Sequence, residues 1–160
     1  MQNFSTEEAH EAAKKAMRLL EHMDRTEKGL FDKLLQSGFS EEAAQEALHY
    51  VKSFGYVNDE RYAQRYIEGR IRTKSRQKIF QELWQKGIDR ETIALAWETV
   101  SSCEQTDERE LIQSLVKKKC PEGVALDDRD KRRLCAYLQR RGFGLSDIYS
   151  VIEELSNNNE

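Results

Sequence analysis

Proline and cysteine are both scarce in this chain of 160 residues, which contains one proline and three cysteines. Pro121 is therefore the one place where a proline ring would break a helix, and no alternation of β-branched residues marks a strand. The cysteine count is odd and no Cys-x-x-Cys pair occurs, so we expect neither a disulfide framework nor a zinc site. These absences favour an all-α protein in the reducing cytoplasm.

Long apolar runs and a secretory leader pattern are missing as well. No apolar stretch approaches the roughly 20 residues that cross a bilayer, and the first twelve residues have neither a basic start nor an apolar core. The net charge of −3 by itself disfavours a general nucleic-acid binder. We therefore expect no membrane contact, and we expect the protein to be a monomer.

What the chain does contain is a threefold repeat. In each copy a polar residue that favours helix starts lies twelve residues before a glycine, and a leucine lies four residues before that glycine. The predicted starts are Thr26, Ser75 and Asp130, and the predicted stops are Gly38, Gly87 and Gly142. In the third copy the helical pattern extends back to Asp127, which is a second candidate start. Because apolar positions also recur in all three copies, we predict three tandem three-helix repeats (residues 1–57, 58–105 and 106–160), stacked into an elongated, curved array.

Side chains on the apolar positions are interpreted first as core. Trp84 and Trp97 lie on or beside these positions, and Cys135 is expected to be a buried free thiol. Tyr62 and Tyr66, one helical turn apart, are expected to form a packing face, with base stacking as the alternative.

Catalytic patterns are absent from the sequence. It has no Gly-x-Ser-x-Gly, no phosphate-binding glycine loop, no His-Glu-x-x-His and no carboxylate cluster on an apolar background. The acids are dispersed among basic residues, as solubilising pairs on helices are. We therefore expect no catalytic residue, no metal and no cofactor, and a repeat protein that binds through an extended surface.

Two basic runs stand out against the acidic average. Seven Arg and Lys residues occur between residues 61 and 78 with the single acid Glu68, and six occur between residues 129 and 141 with the single acid Asp130. The candidate binding residues are Arg61, Arg65, Arg70, Arg72, Lys74, Arg76, Lys78, Arg129, Lys131, Arg132, Arg133, Arg140 and Arg141. An ordinary solvated face is the alternative, but two runs at matching places in stacked repeats favour a stripe that binds a polyanion or an acidic protein groove.

Residues 54–89, FGYVNDERYAQRYIEGRIRTKSRQKIFQELWQKGID, closely resemble the signature of the RecX family of bacterial recombination regulators. Arg25-Thr26 in the first repeat and the Arg-Arg-Gly-Phe of the third are similar to the flanking repeats of that family. The resemblance implies a non-enzymatic protein that binds the groove of the RecA filament on single-stranded DNA and inhibits RecA, with weak direct DNA binding. It carries Arg61, Arg70 and Lys86 over as motif positions. A helical-repeat adaptor or nucleic-acid binder with another target is the alternative.

Overall fold

The computed structural model describes residues 4–103, 107–120 and 125–158, and within these ranges it contains nine α-helices and no strand. The helices are α1 (Glu7–His22), α2 (Glu27–Gln36), α3 (Glu41–Ser53), α4 (Asp59–Arg70), α5 (Arg76–Gln85), α6 (Arg90–Ser101), α7 (Glu108–Lys119), α8 (Asp128–Arg140) and α9 (Leu145–Asn157). The all-α prediction is confirmed. The predicted repeat boundary at 105/106 and the helix break at Pro121 lie outside the described residues.

Short polar side chains start these helices except α9, which begins after Gly144, because the first backbone N–H groups of a helix have no partner within it. The Thr26 hydroxyl accepts from the Gly29 N–H at 3.0 Å, and the Ser75 hydroxyl accepts from the Lys78 N–H at 3.1 Å. At the other end of the three middle helices the chain turns through the left-handed region, with φ of +97° at Gly38, +90° at Gly87 and +91° at Gly142. The predicted stops of α2, α5 and α8 are confirmed.

The predicted start of α8 at Asp130 is wrong, and the start at Asp127 is correct. The Asp127 carboxylate accepts from the Asp130 N–H at 2.7 Å, so Asp130 lies inside the first turn. Helix α8 is therefore three residues longer at its start than α2 and α5 are at the matching place. The sequence contains acids at 127, 128 and 130. The twelve-residue spacing between start and glycine in the other two copies led to the choice of Asp130 as the start.

The described residues divide into two compact units, the first of which contains the residues up to Tyr66 together with Leu83–Trp97. Its core is formed by α1, α2 and α3. Helix α1 contributes alanines, including Ala12 and Ala16, that are fully buried and let it pack closely against α3. Leu30 and Leu34 of α2 are also fully buried, and each such leucine stabilises the fold by about 1.5–3 kcal/mol.

The second unit contains Ile67–Glu82 and the described residues from Glu98 onward, and its main cluster joins α7, α8 and α9. Ile112, Leu138 and Ile148, one from each helix, are fully buried there. Cys135 is a free thiol on the margin of this cluster, and it is half-buried rather than buried as predicted. Burial raises the pKa of its thiol.

Trp84 is the clearest error of the sequence interpretation. Its side chain is 52% exposed, and the Arg90 guanidinium lies 5.0 Å from the centre of its ring. The adjacent Leu83 is fully buried and takes the core position, so Trp84 points to the other side of α5. Trp97 is half-buried, as expected for a residue at the edge of a core.

The first unit contains a joint between the middle helices of repeats one and two, which we call the first joint. The buried Thr26 hydroxyl donates to the Lys86 carbonyl at 3.0 Å, so the end of α5 meets the start of α2. The Glu27 N–H donates to the Asp59 carboxylate at 2.9 Å. Gly87 fits against Lys28, whose side chain would lie 2.4 Å from a Cβ added to that glycine. The Asp59 carboxylate thus satisfies an N–H group at the positive start of α2, and the Lys86 carbonyl holds the capping hydroxyl of Thr26.

The second unit repeats this arrangement between α5 and α8, in what we call the second joint. The N–H of buried Ser75 donates to the Arg141 carbonyl at 3.0 Å. The Arg76 N–H donates to the Glu108 carboxylate at 3.0 Å, as the Glu27 N–H does to Asp59. Gly142 lies so close to Ser75 and Lys78 that a Cβ on this glycine would be 2.4 Å from the Ser75 hydroxyl and 2.3 Å from the Lys78 Cβ.

Candidate polyanion-binding surface

Three of the candidate cations lie in the first unit, and two of them contact a neighbouring side chain. Arg65, whose side chain is 65% exposed, forms an ion pair with Asp24 at 3.2 Å. Lys86 is exposed, and its ammonium lies 5.7 Å from the centre of the Tyr66 ring. Arg61 is half-buried, and its Nε has no hydrogen-bond partner among the described residues.

Tyr62 and Tyr66 stack on each other in the same unit, with ring centres 6.3 Å apart and planes inclined by 21°. Both side chains are half-buried. This geometry favours the packing interpretation over base stacking, because each ring already has a ring neighbour and little free face.

The rest of the first basic run lies in the second unit and contains both paired and exposed cations. Lys74 contacts both carboxylate oxygens of Glu82, at 2.6 and 3.0 Å, so its charge is largely neutralised. Lys78 packs its alkyl chain against Gly142. Arg72 and Arg76 are exposed, and the Arg76 guanidinium lies 5.0 Å from the centre of the Phe80 ring. Arg70 is half-buried at the end of α4.

The second joint brings the two basic runs into contact. One guanidinium nitrogen of Arg141 donates to the Thr73 carbonyl at 3.1 Å, and the Arg141 carbonyl accepts from the Ser75 N–H. The third-repeat run therefore reaches the loop between α4 and α5 that carries Arg72 and Lys74. We call Arg70, Arg72, Arg76 and Arg141 the joint surface. The other cations of the second run lie on α8 in the same unit. Lys131 is half-buried, and the exposed ones are Arg129, Arg132, Arg133 and Arg140.

Exposed guanidiniums suit this surface to anionic partners. A guanidinium presents a planar fork of donors that matches carboxylate and phosphate oxygens, and it remains charged at every physiological pH. Within the second unit Glu82 contacts Lys74, and Glu108 accepts from the backbone N–H of Arg76 at the start of α5. The surface can therefore bind a polyanion or an acidic protein wall.

Sequence reasoning missed one aromatic and cationic group in the third repeat. The Lys119 ammonium lies 4.2 Å, and the Arg141 guanidinium 4.7 Å, from the centre of the Tyr137 ring. Lys119 belongs to neither of the two basic runs, so its proximity to α8 was not predicted. Such proximity follows from packing between helices, which spacing along one helix does not report.

Metal and membrane sites have no counterpart in the part of the chain that the structure describes. No group of three or more His, Cys, Asp or Glu side chains there could hold a metal ion. None of the described helices is long and apolar enough to span a membrane.

Comparison with known proteins places this geometry in a family. Models described as the first, second and third three-helix domains of RecX match residues 12–50, 58–96 and 107–152, in that order along the chain. A protein of Caldanaerobacter subterraneus named Regulatory protein RecX is 39% identical over 146 residues, which cover 91% of this chain and 71% of that protein. One of Clostridioides difficile with the same name is 33% identical, over 93% of this chain and 70% of its own length.

Two solved structures resemble the fold. The crystal structure of RecX from Lactobacillus salivarius matches with a TM-score of 0.70 at 24% identity, over 94% of this chain and 97% of that one. A second, described as regulatory protein RecX, matches with a TM-score of 0.69 at 26% identity, over 92% of this chain and 73% of that one. The three-repeat architecture predicted from the glycine spacing is confirmed.

Proposed function

The chain belongs to the RecX family of regulatory proteins, and from this membership we propose that it binds the groove of the RecA filament on single-stranded DNA and inhibits RecA. The activities that it would reduce are the recombinase, ATPase and coprotease activities of RecA. We propose that it acts as a monomer, in the cytoplasm and without catalysis, by binding alone. The repeat boundaries at 57/58 and 105/106 belong to the same proposal.

The observation that carries this proposal is the meeting of two basic runs at the second joint. Arg141 of the third repeat donates to Thr73 of the second, so cations far apart in sequence belong to one surface. A surface supported by two helices and their connecting loops can contact a partner at several points at once. In a filament groove those points would lie on neighbouring RecA subunits, and bridging them would hinder the growth or turnover of the filament.

Direct DNA binding is a smaller part of the proposal. The whole chain carries a net charge of −3, which weakens its attraction to free DNA, whereas a protein filament supplies contacts beyond phosphate. We propose weak binding to single-stranded DNA through exposed arginines such as Arg72 and Arg76. The affinity measured against salt concentration should decline with a small but definite slope, and a slope of zero would show that these arginines neutralise no phosphates.

Inhibition of RecA is tested by the rate of ATP hydrolysis by RecA on single-stranded DNA, with this protein added in increasing excess. We expect a progressive loss of activity, because filament growth and subunit exchange are hindered. A heat-denatured sample of the same protein serves as the control. An unchanged rate at excess folded protein would contradict RecA as the partner and would favour a repeat adaptor with another target.

A further inference from the structure

A pocket of about 440 Å³ opens in the second unit beside the end of α7 and one face of α8. Its volume lies within the range of about 300–1,000 Å³ that is usual for small-molecule sites. The residues that matter for its chemistry are Lys119, Asp130, Arg133, Leu134, Tyr137 and Arg140. We call it the Tyr137 pocket.

The charge of this pocket is positive. Lys119, Arg133 and Arg140 contribute three cations against the one carboxylate of Asp130. None of the three cations forms an ion pair with an acid among the described residues. Several unpaired cations at the rim of one cavity would be repelled by each other, and an anion bound among them would relieve that repulsion.

An aromatic ring and an apolar patch lie beside these cations. Tyr137 is half-buried, and Leu134, one turn earlier on α8, is buried under the pocket. The Lys119 ammonium lies 4.2 Å from the centre of the Tyr137 ring. The Arg141 guanidinium lies 4.7 Å from the same ring centre and is held by the Thr73 carbonyl, so it stays in place. Lys119 is exposed, so its flexible side chain can leave the ring when another planar group takes its place.

One acid distinguishes the pocket from a plain anion site. Asp130 lines it and lies near the Cys120 thiol, whose pKa is raised by burial and further by this carboxylate. A carboxylate repels phosphate but accepts hydrogen bonds from an amino or hydroxyl group. The pocket therefore has an acceptor at one place, cations at others and a ring between the helices.

We propose that the Tyr137 pocket binds a nucleoside phosphate. The base stacks on Tyr137, the phosphate contacts Arg133, Arg140 and the released Lys119, and Asp130 accepts from an amino or sugar hydroxyl group. A free nucleotide and one nucleotide of a single strand share this chemistry. The inference goes beyond the proposed function and does not depend on it, because the ligand is tested without RecA.

The test measures binding of ADP, adenosine and inorganic pyrophosphate to the full chain by titration calorimetry at low salt. We expect ADP to bind about tenfold or more tightly than either part alone, since stacking and charge-assisted hydrogen bonds both contribute. Equal binding of ADP and pyrophosphate would overturn the proposal, because the ring would then have no role. Absence of ADP binding at millimolar concentration would overturn it as well.

Matched variants separate the pocket from diffuse charge. Arg133→Gln should weaken ADP binding about tenfold, whereas Lys118→Gln, with the same loss of charge at an exposed position of α7 that does not line the pocket, should leave it nearly unchanged. Equal effects of the two variants would contradict a defined site. Tyr137→Leu should remove the preference for ADP over pyrophosphate, and Tyr137→Phe should keep it. Far-UV circular dichroism checks that each variant is folded.

The source of the nucleotide is decided by competition. If the pocket binds a nucleotide of a single strand, a short oligothymidylate should displace ADP. The Tyr137→Leu variant should then bind the oligothymidylate more weakly than the unaltered protein does. If the pocket takes free nucleotides only, ADP should bind without displacement by the oligonucleotide. If the unaltered protein binds ADP but does not inhibit RecA, the proposed function alone is contradicted. If it inhibits RecA but does not bind ADP, this inference alone is contradicted.

Discussion

Gly142→Ala and Gly38→Ala form a pair of substitutions that tests the joint between repeats. Both glycines end a middle helix with almost the same φ, +91° and +97°. An alanine in this left-handed region costs about 1–2 kcal/mol at either position. Their surroundings differ, because a Cβ on Gly38 would meet nothing within 4 Å, whereas one on Gly142 would meet the second joint.

The extra cost at Gly142 follows from the atoms that the new methyl group would meet. It would lie 2.3 Å from the Lys78 Cβ, which is tied to the backbone and cannot swing away, and 2.4 Å from the Ser75 hydroxyl oxygen. Overpacking of this kind costs about 1–3 kcal/mol. We therefore expect Gly38→Ala to lower the free energy of unfolding by about 1–2 kcal/mol and Gly142→Ala by about 2–5 kcal/mol.

The assay is urea unfolding followed by far-UV circular dichroism, with tryptophan fluorescence as a second probe. The difference between the two variants isolates the contact between repeats, because the backbone strain is common to both. Gly87→Ala should destabilise the protein by an intermediate amount. The nearest atom to the new methyl group, the Lys28 Cδ, can swing away, whereas the Lys28 Cβ at 2.6 Å is fixed to the backbone. Equal destabilisation by Gly38→Ala and Gly142→Ala would refute the close fit of the second joint.

Three further predictions concern single residues of the first unit, each measured by urea unfolding. Thr26→Ala should cost about 1–3 kcal/mol, because one buried hydroxyl serves two hydrogen bonds, and Thr26→Ser should cost less. Burial raises the pKa of Asp59, so the stability that this group contributes below its unfolded pKa is lost as the pH rises through its folded pKa. Asp59→Asn should therefore flatten this part of the plot of unfolding free energy against pH. An unchanged plot would contradict the raised pKa. Leu83→Ala should lower the free energy of unfolding by about 2–5 kcal/mol, whereas Trp84→Ala should change it by no more than about 0.5 kcal/mol. Similar changes in the two variants would contradict the burial of Leu83 and the exposure of Trp84.

The fold could be predicted because its determinants are local and occur three times. Leucines at one position of each middle helix, Leu34, Leu83 and Leu138, are all fully buried, and the glycines that follow them all have positive φ. The burial of each leucine and the conformation of each glycine depend only on the spacing of residues within one helix and at its end. The same regularity led to the wrong start of α8 at Asp130, because the third copy has an added turn there.

The site could be predicted only in its composition. The two basic runs are visible in the sequence, but the contact of Arg141 with Thr73 depends on how α8 docks at the start of α5. The neutralisation of Lys74 by Glu82, eight residues away, also depends on the path of the chain through the loop. Lys119 was overlooked because it belongs to neither run and reaches Tyr137 only through tertiary packing.

The joint also explains why repeats this small hold together. Helices α2 and α5 begin with N–H groups that have no partner within the helix. The following repeat supplies a carboxylate to the first of these N–H groups and a carbonyl to the capping residue just before it. The carboxylates come from Asp59 and Glu108, which lie 32 residues after the N–H groups that they accept from. A repeat therefore completes the capping of the one before it.

The most direct test of the account compares two triple variants that reverse the same number of charges. The quantity measured is the affinity of each variant for RecA filaments on single-stranded DNA. Arg70→Glu, Arg72→Glu and Arg76→Glu together alter the joint surface, and Lys14→Glu, Arg18→Glu and Lys33→Glu together alter exposed cations of the first repeat. The account predicts that the first variant binds about tenfold or more weakly with its helicity intact, and that the second binds nearly as the unaltered protein does. Equal affinities of the two variants would contradict the joint surface as the face that binds the filament.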